Sequence, residues 1–383
     1  MAPWHTGYVG WGGGEEGPIN SGPPLQITNP DLFVDRFLHE FMPFRNSNFF
    51  LAIWASFSDD QMVVLYEVDP DTLEITSHGP LGAGVEFAIC LLPMTDTVMI
   101  LETNDGTGNF RVLTRTGSSV AIGALNSGVV PGAGASVSST FIRLDDTHFA
   151  VGVANTSPTP DRLYICSVSG DTVTQDNASD LAASAGSRSQ LVGLIDSTHI
   201  CSFSMLSGGQ FTANYYVYTF TLGGGVSAET AVAVPTPPSG VTNRGPCSFI
   251  AGAPDFIHYW QHSTGTYFRP ASWDGATINF GSEDIIAGTF CDVWGNCGTV
   301  DNPSATQMAQ GGFFSGFTVA CADQSGTTIG TFNFEPFTTP TPASTYTRHN
   351  PAVLTPGIAV GSVVGGGPDF NVWFQAFACP PGV

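Results

Sequence analysis

Two histidines occupy matching strings, Asp145-Asp-Thr-His148 and Asp196-Ser-Thr-His199. An imidazole beside a carboxylate can relay a proton or ligate a metal, and a pair of them could form a shared ligand set. The same string is also turn chemistry, in which short polar side chains bond the local backbone. Repeats duplicate their turns, so the structural role is the expectation here. His258 and His262 lie four apart in a strand-like run beside Trp260, which puts them on one face. A metal there would need a third ligand. Asp255 falls on the opposite face, and no ligand spacing is met.

Asp69-Pro-Asp71 and Glu102-Thr-Asn-Asp105-Gly106 offer oxygens for calcium but lack the alternating ligand spacing of an EF-hand. They read as acidic hairpin turns. The chain has no Gly-x-Ser-x-Gly elbow and no cysteine in a thiolate-stabilising context. Glycosidase chemistry needs two carboxylates in one pocket, and acids brought together from separate repeats cannot be paired by spacing. No catalytic residue, metal ligand or cofactor is therefore assigned. Asn155-Thr-Ser157 and Asn177-Ala-Ser179 fit the glycosylation sequon and are read as chance matches.

The elements that must position these residues are strands. Of 383 residues, 42% are hydrophobic and only 11% charged, with 46 Gly and 27 Pro. That composition describes many short strands joined by turns. The formal net charge is -22 and all ten basic residues are Arg. Such a surface repels phosphate backbones and anionic lipid, so nucleic acid is not an expected partner. The Met-Ala-Pro-Trp-His-Thr start has neither the charged nor the apolar region of a secretory leader. No apolar run reaches the length of a membrane span, so membrane insertion is not expected either. Cys90, Cys166, Cys201, Cys247 and Cys321 fall in or beside strands, where a free cysteine acts as a small hydrophobe. Cys291 and Cys297 share a loop, and a disulfide between them stays open. Synthesis in a reducing cytoplasm is the expectation.

The stretch Gly84–Leu125 is a complete meander: Glu86–Leu92, Thr97–Glu102, Asn109–Arg115 and Ser119–Ile122, separated by tight turns. One such sheet cannot bury both of its faces, and the sequence repeats it. Second strands begin near 48, 98, 148, 199, 256, 317 and 358. Four strands per repeat at that spacing predict an all-β propeller of about seven four-stranded blades. The last unit shows three strands, and Leu25–Thr28 is the natural donor of the fourth, closing the ring. Asn29-Pro30 before Asp31–Leu38 resembles a helix start, although a strand fits nearly as well. The repeats begin near Phe41. Residues 24–383 are expected to form the propeller, and residues 1–23 a Gly/Pro-rich N-terminal arm. A terminus of this composition is expected to be disordered unless tied down. The rival reading is a docking arm, because Trp4, Tyr8 and Trp11 are costly to leave in water, and these are the candidate partner-binding residues.

Residues 41–378 resemble, in pattern, the repeats of bacterial and bacteriophage β-propeller proteins. The Gly-His and Trp-Asp marks of WD40 repeats are absent apart from one Trp273-Asp274. Kelch Gly-Gly pairs are missing at regular positions, and Ser272-Trp-Asp-Gly-Ala-Thr277 lacks the sialidase Asp-box spacing. The resemblance implies a non-enzymatic virion component, made in the host cytoplasm, on a tail fibre, baseplate or capsid surface. Its arm would dock on other virion proteins, and its loops would face outward towards host-surface glycans. One alternative is a polysaccharide-acting enzyme, a glycoside hydrolase or lyase, with a carboxylate-lined pocket and an arginine such as Arg143 or Arg269. The other is a lectin-like propeller with one ligand pocket per blade.

Overall fold

The computed structural model describes residues 21–27, 36–56, 61–82, 85, 88–103, 108–131, 139–153, 162–181, 188–205, 213–235, 241–249, 254–262, 265–287, 307–314, 316–329, 333–336, 352–355, 357–364 and 372–378. No helix occurs among them. They form seven antiparallel sheets. The first sheet comprises Arg36–Pro43, Phe49–Ser56, Gln61–Val68 and Ile75–Pro80 in that order. The second spans Ala88–Pro93 to Ser119–Ile122, the third Ser139–Arg143 to Thr172–Asp180, and the fourth Arg188–Asp196 to Gly225–Ala233. In the fifth, Gly265–Trp273 pairs with both Ile278–Phe280 and Asp284–Ala287. In the sixth, Gly316–Ser325 pairs with Gln307–Phe314, Thr328–Ile329 and Asn333–Pro336.

Why these segments pair is visible in one strand. Along Gln61–Val68, Val63 and Leu65 enter the core shared with the second sheet. Val64, Tyr66 and Val68 enter the core shared with the seventh. A strand sends successive side chains to opposite faces, and here both faces are covered, so Met62–Tyr66 is apolar without interruption. Five such cores each fill the space between two neighbouring sheets. The first strands of the first five sheets lie side by side, Ala352–Thr355 of the seventh flanks Arg36–Pro43, and Gln307–Phe314 of the sixth flanks Ala352–Thr355. Asp255–His262 and Gly316–Ser325 join the fifth sheet to the sixth, completing a ring. The protein is a β-propeller.

The seventh sheet is assembled from both ends of the chain. Leu25–Ile27 pairs antiparallel with Val372–Ala378, in register Leu25 to Phe374 and Ile27 to Val372. Upstream, the Gly22 N–H donates to the Ala376 carbonyl at 2.9 Å, and the buried Gln375 amide donates to the Gly22 carbonyl at 2.9 Å. Gly22 is tightly enclosed, because a Cβ there would collide with the Leu73 carbonyl oxygen. Phe374 then meets Phe41, Phe50, Trp54 and Tyr66, with centroids between 5.1 and 6.1 Å away. This aromatic group welds the last sheet to the first. Burial pushes the Tyr66 phenol well above its ordinary range.

Two expectations need correction. The helix-like reading of Asp31–Leu38 fails at its end, because Arg36–Pro43 is the first strand of the first sheet. Residues 31–35 lie outside the described residues. For the same reason the repeats begin at Arg36 and not near Phe41: cross-strand pairing with Phe49–Ser56 outweighs the local Asn-Pro signal.

Candidate functional site

In an up-and-down sheet the first-to-second and third-to-fourth turns emerge at the same end. That end of the ring carries the polar groups described most fully. In the third sheet the Asp145 carboxylate accepts the Thr147 N–H at 2.7 Å, the Thr147 hydroxyl at 2.9 Å and the His148 N–H at 2.7 Å. His148 Nδ1 lies 2.9 Å from Asp145 Oδ2. In the fourth sheet Asp196 accepts the Thr198 N–H at 2.8 Å and the Thr198 hydroxyl at 3.0 Å, with His199 Nδ1 at 2.7 Å from Oδ2. Each imidazole is committed to the carboxylate of its own turn. The two Asp-x-Thr-His strings are turns, and they do not assemble a shared ligand pair.

The electrostatics follow. Partial burial works to raise the Asp145 carboxyl, but the Thr147 N–H and the His148 ring outweigh it and hold the group below its ordinary value. Asp196 is lowered by the same balance, with Thr198 and His199 as donors. The third-to-fourth turns use the same device. Asp69 takes the N–H groups of Asp71 and Thr72, and Asp274 those of Ala276 and Thr277. Both carboxyls are lowered, Asp69 chiefly by the Thr72 N–H and Asp274 chiefly by the Thr277 N–H. Among the described residues no three His, Cys, Asp or Glu side chains are grouped to hold a metal ion.

Arginines converge beside the third-sheet turn. Arg143, at the end of the first strand, donates Nε to the Met94 carbonyl at 2.8 Å and pairs with Asp146. Arg45, from the first sheet, reaches the same Asp146 oxygen at 3.2 Å. Its backbone N–H meanwhile bonds the Thr95 carbonyl of the second sheet. Arg115 lies over the Phe49 ring at 4.2 Å and donates to the Asp96 and Gly117 carbonyls. Arg269 is far from this group in the fold, bonded in the fifth sheet to Glu283 and the Gly281 carbonyl. The two arginines named for an enzyme pocket thus stand in the third and the fifth sheet.

At the next junction Trp273 Nε1 donates to Asp196 Oδ2 at 3.1 Å, and its ring lies 5.4 Å from that of His199. Sequence reasoning saw Trp273 only as a stray Trp-Asp mark. It also missed Arg45 and Asp146, whose meeting has no local signal. His258 is buried, bonded to the Tyr215 hydroxyl at 2.9 Å and ringed by Phe203 and Phe280. It is a core histidine at the junction of the fourth and fifth sheets. Asp255, on the opposite face, accepts the Gly326 N–H of the sixth sheet.

Asn177 of the second sequon packs towards Gly225 of the fourth sheet, where an added Cβ would lie 2.4 Å from its Oδ1. Burial pushes the Cys166 thiol up to about 12, aided by the Asp176 charge, and burial raises Cys201 further. Both thiols are thereby held in the protonated form at neutral pH. Trp4, Tyr8, Trp11, Asp105, Asn155, Cys291 and Cys297 lie outside the described residues.

No family model matches the chain, and no curated protein sequence matches it. Solved structures do. A protein from Bacteroides fragilis, described as a "putative 6-phosphogluconolactonase", superposes with a TM-score of 0.52 at 10% identity, covering 77% of this chain and 83% of its own. Sqt1 of Saccharomyces cerevisiae gives a TM-score of 0.45 at 10% identity over 93% or more of either chain, namely 94% and 100%. The WD40 domain of SCAP from fission yeast gives 0.44 at 9% identity over 93% and 98%. At these identities the likeness to the Bacteroides fragilis protein is one of fold.

Proposed function

We propose that this chain is a non-enzymatic binding and structural propeller of a bacteriophage virion, on a tail fibre, baseplate or capsid surface. Trp4, Tyr8 and Trp11 dock it on another virion protein, and its loops face host-surface glycans. The observation that carries the reading is the closure of the ring by Leu25–Ile27, with Gly22 locked beside Leu73. Leu25–Ile27 is the edge strand of its sheet, at the rim of the propeller, so residues leading into it start from a surface that a partner can reach. The turn-end acids support the same reading, since Asp69, Asp145, Asp196 and Asp274 are engaged in holding backbone N–H groups.

The test compares the full chain with one starting at Ser21, which keeps the closing strand and its Gly22 tie. Both are expected to melt alike, and only the full chain to associate with other virion proteins in native mass measurements. Equal association by both chains would remove Trp4, Tyr8 and Trp11 as the docking element. The rival reading, a polysaccharide-acting enzyme, requires turnover of an oligosaccharide by either chain.

A further inference from the structure

We propose that Arg45 and Arg143 form a binding site for the carboxylate of an acidic sugar, a hexuronic or sialic acid, with Asp146 occupying the site until the ligand displaces it. The inference rests on the glycan-binding part of the proposed function and gives it a place and a chemistry.

The first argument is charge. In a lysine-free chain of net charge -22 with ten arginines, three of them (Arg45, Arg115 and Arg143) sit at the turn end of the first three sheets. Arg115 spends its described bonds on backbone carbonyls. The carboxylate that both Arg45 and Arg143 reach is Asp146. With Asp96, Asp145 and Asp146 in the same turns the locality is about neutral, which on an otherwise acidic molecule makes it a place where an anion is least repelled.

The second argument is burial. The side chains of Arg143 and Arg45 are 9% and 14% exposed, whereas that of Asp146 is 68% exposed. The guanidinium groups are thus fixed in the wall, Arg143 by the Met94 carbonyl at 2.8 Å, while the carboxylate sits on a turn tip. Fixed guanidinium forks match carboxylates in particular. An ion pair with so exposed a partner contributes little, so exchanging it for an incoming carboxylate is nearly neutral. The remaining contacts of the sugar then supply the affinity.

The third argument is the repeat itself. The matching turn of the fourth sheet places Leu194 and Ser197 where the third has Arg143 and Asp146. That turn closes with the same Asp–Thr–His bonds. The arginine clamp is therefore an addition to the turn and not a condition for forming it.

The experiment titrates the full-length protein with N-acetylneuraminic acid and with glucuronic acid by calorimetry. Their methyl esters and a short acidic peptide serve as controls, and thermal unfolding of each variant is recorded alongside. Asp146→Asn is expected to bind one of the acids about tenfold more tightly than the parent chain, and Arg45→Gln about tenfold more weakly. The esters are expected not to bind. Absence of any gain in Asp146→Asn overturns the site. If the parent binds glycans and Arg45→Gln binds them equally, the site is wrong while glycan binding stands. Preference for the peptide overturns the sugar class. A loss of melting temperature in Asp146→Asn without tighter binding assigns Asp146 to a structural strap instead.

Discussion

The turns at Asp145–His148 and Asp196–His199 are built alike and finished differently. In both, one carboxylate gathers a threonine N–H, a threonine hydroxyl and a histidine Nδ1. The fourth-sheet turn is then roofed by the fifth sheet, whose Trp273 bonds Asp196 and leans on His199. The third-sheet turn is instead flanked by guanidinium groups, and its Asp145 side chain is the more exposed, 43% against 35%. A repeated motif thus fixes local backbone, and the neighbouring sheet decides whether its polar face is sealed or left open.

The comparison is broken most severely at the roof. Trp273→Ala removes a buried ring and the donor to Asp196 together, and is expected to lower stability by about 3 kcal/mol in denaturant titration. Asp196→Ala strips acceptors from Thr198, His199 and the buried Trp273 N–H, for a loss of about 2 kcal/mol. Asp145→Ala releases only its own turn and is expected to lose about 1 kcal/mol. Equal losses for the two aspartates would show that the roof contributes nothing. Trp273→Phe sharpens the point: it keeps an aromatic ring, though a smaller one, loses the N–H, and is expected to narrow the gap between the two aspartate-to-alanine losses measured in its background.

A smaller effect is read by pH. Both carboxyls are held below their ordinary value in the folded protein. A group with a depressed folded pKa stabilises above its unfolded pKa and loses that contribution as pH falls through the folded one. Unfolding midpoints are therefore expected to be flat near neutrality and to fall below about pH 4. The drop is expected to be shallower in the double variant Asp145→Ala, Asp196→Ala.

Much of the fold was legible because it is written in local terms. Strands such as Asn109–Thr116 alternate or run apolar, and turns such as Thr116-Gly117 demand a residue at positive φ, here +59°. The closing role of Leu25–Ile27 was legible by subtraction, since the last unit was one strand short. The candidate site was legible only in its turns. Arg45 and Asp146 are separated by 101 residues and meet over an intervening sheet. Trp273 and Asp196 are separated by 77. Such meetings depend on the angle between successive sheets, which no spacing along the chain encodes. The helix-like reading stops short at Arg36 for the converse reason: a local preference of a few tenths of a kcal/mol yields to eight residues of strand pairing at Arg36–Pro43.

The seam between Leu25 and Phe374 also has a consequence for how the molecule is made. The first described strand pairs with the last, so this pairing has the greatest sequence separation of any strand pair among the described residues. At ordinary elongation rates of about 5–20 residues per second, Leu25 waits on the order of half a minute for Phe374 to be synthesised. Until then the nascent protein is an open arc, with the apolar faces of Phe50 and Tyr66 uncovered at one end. Ring closure is thus a late contact of high contact order, and the interval before it leaves apolar surface open to misassembly with other copies.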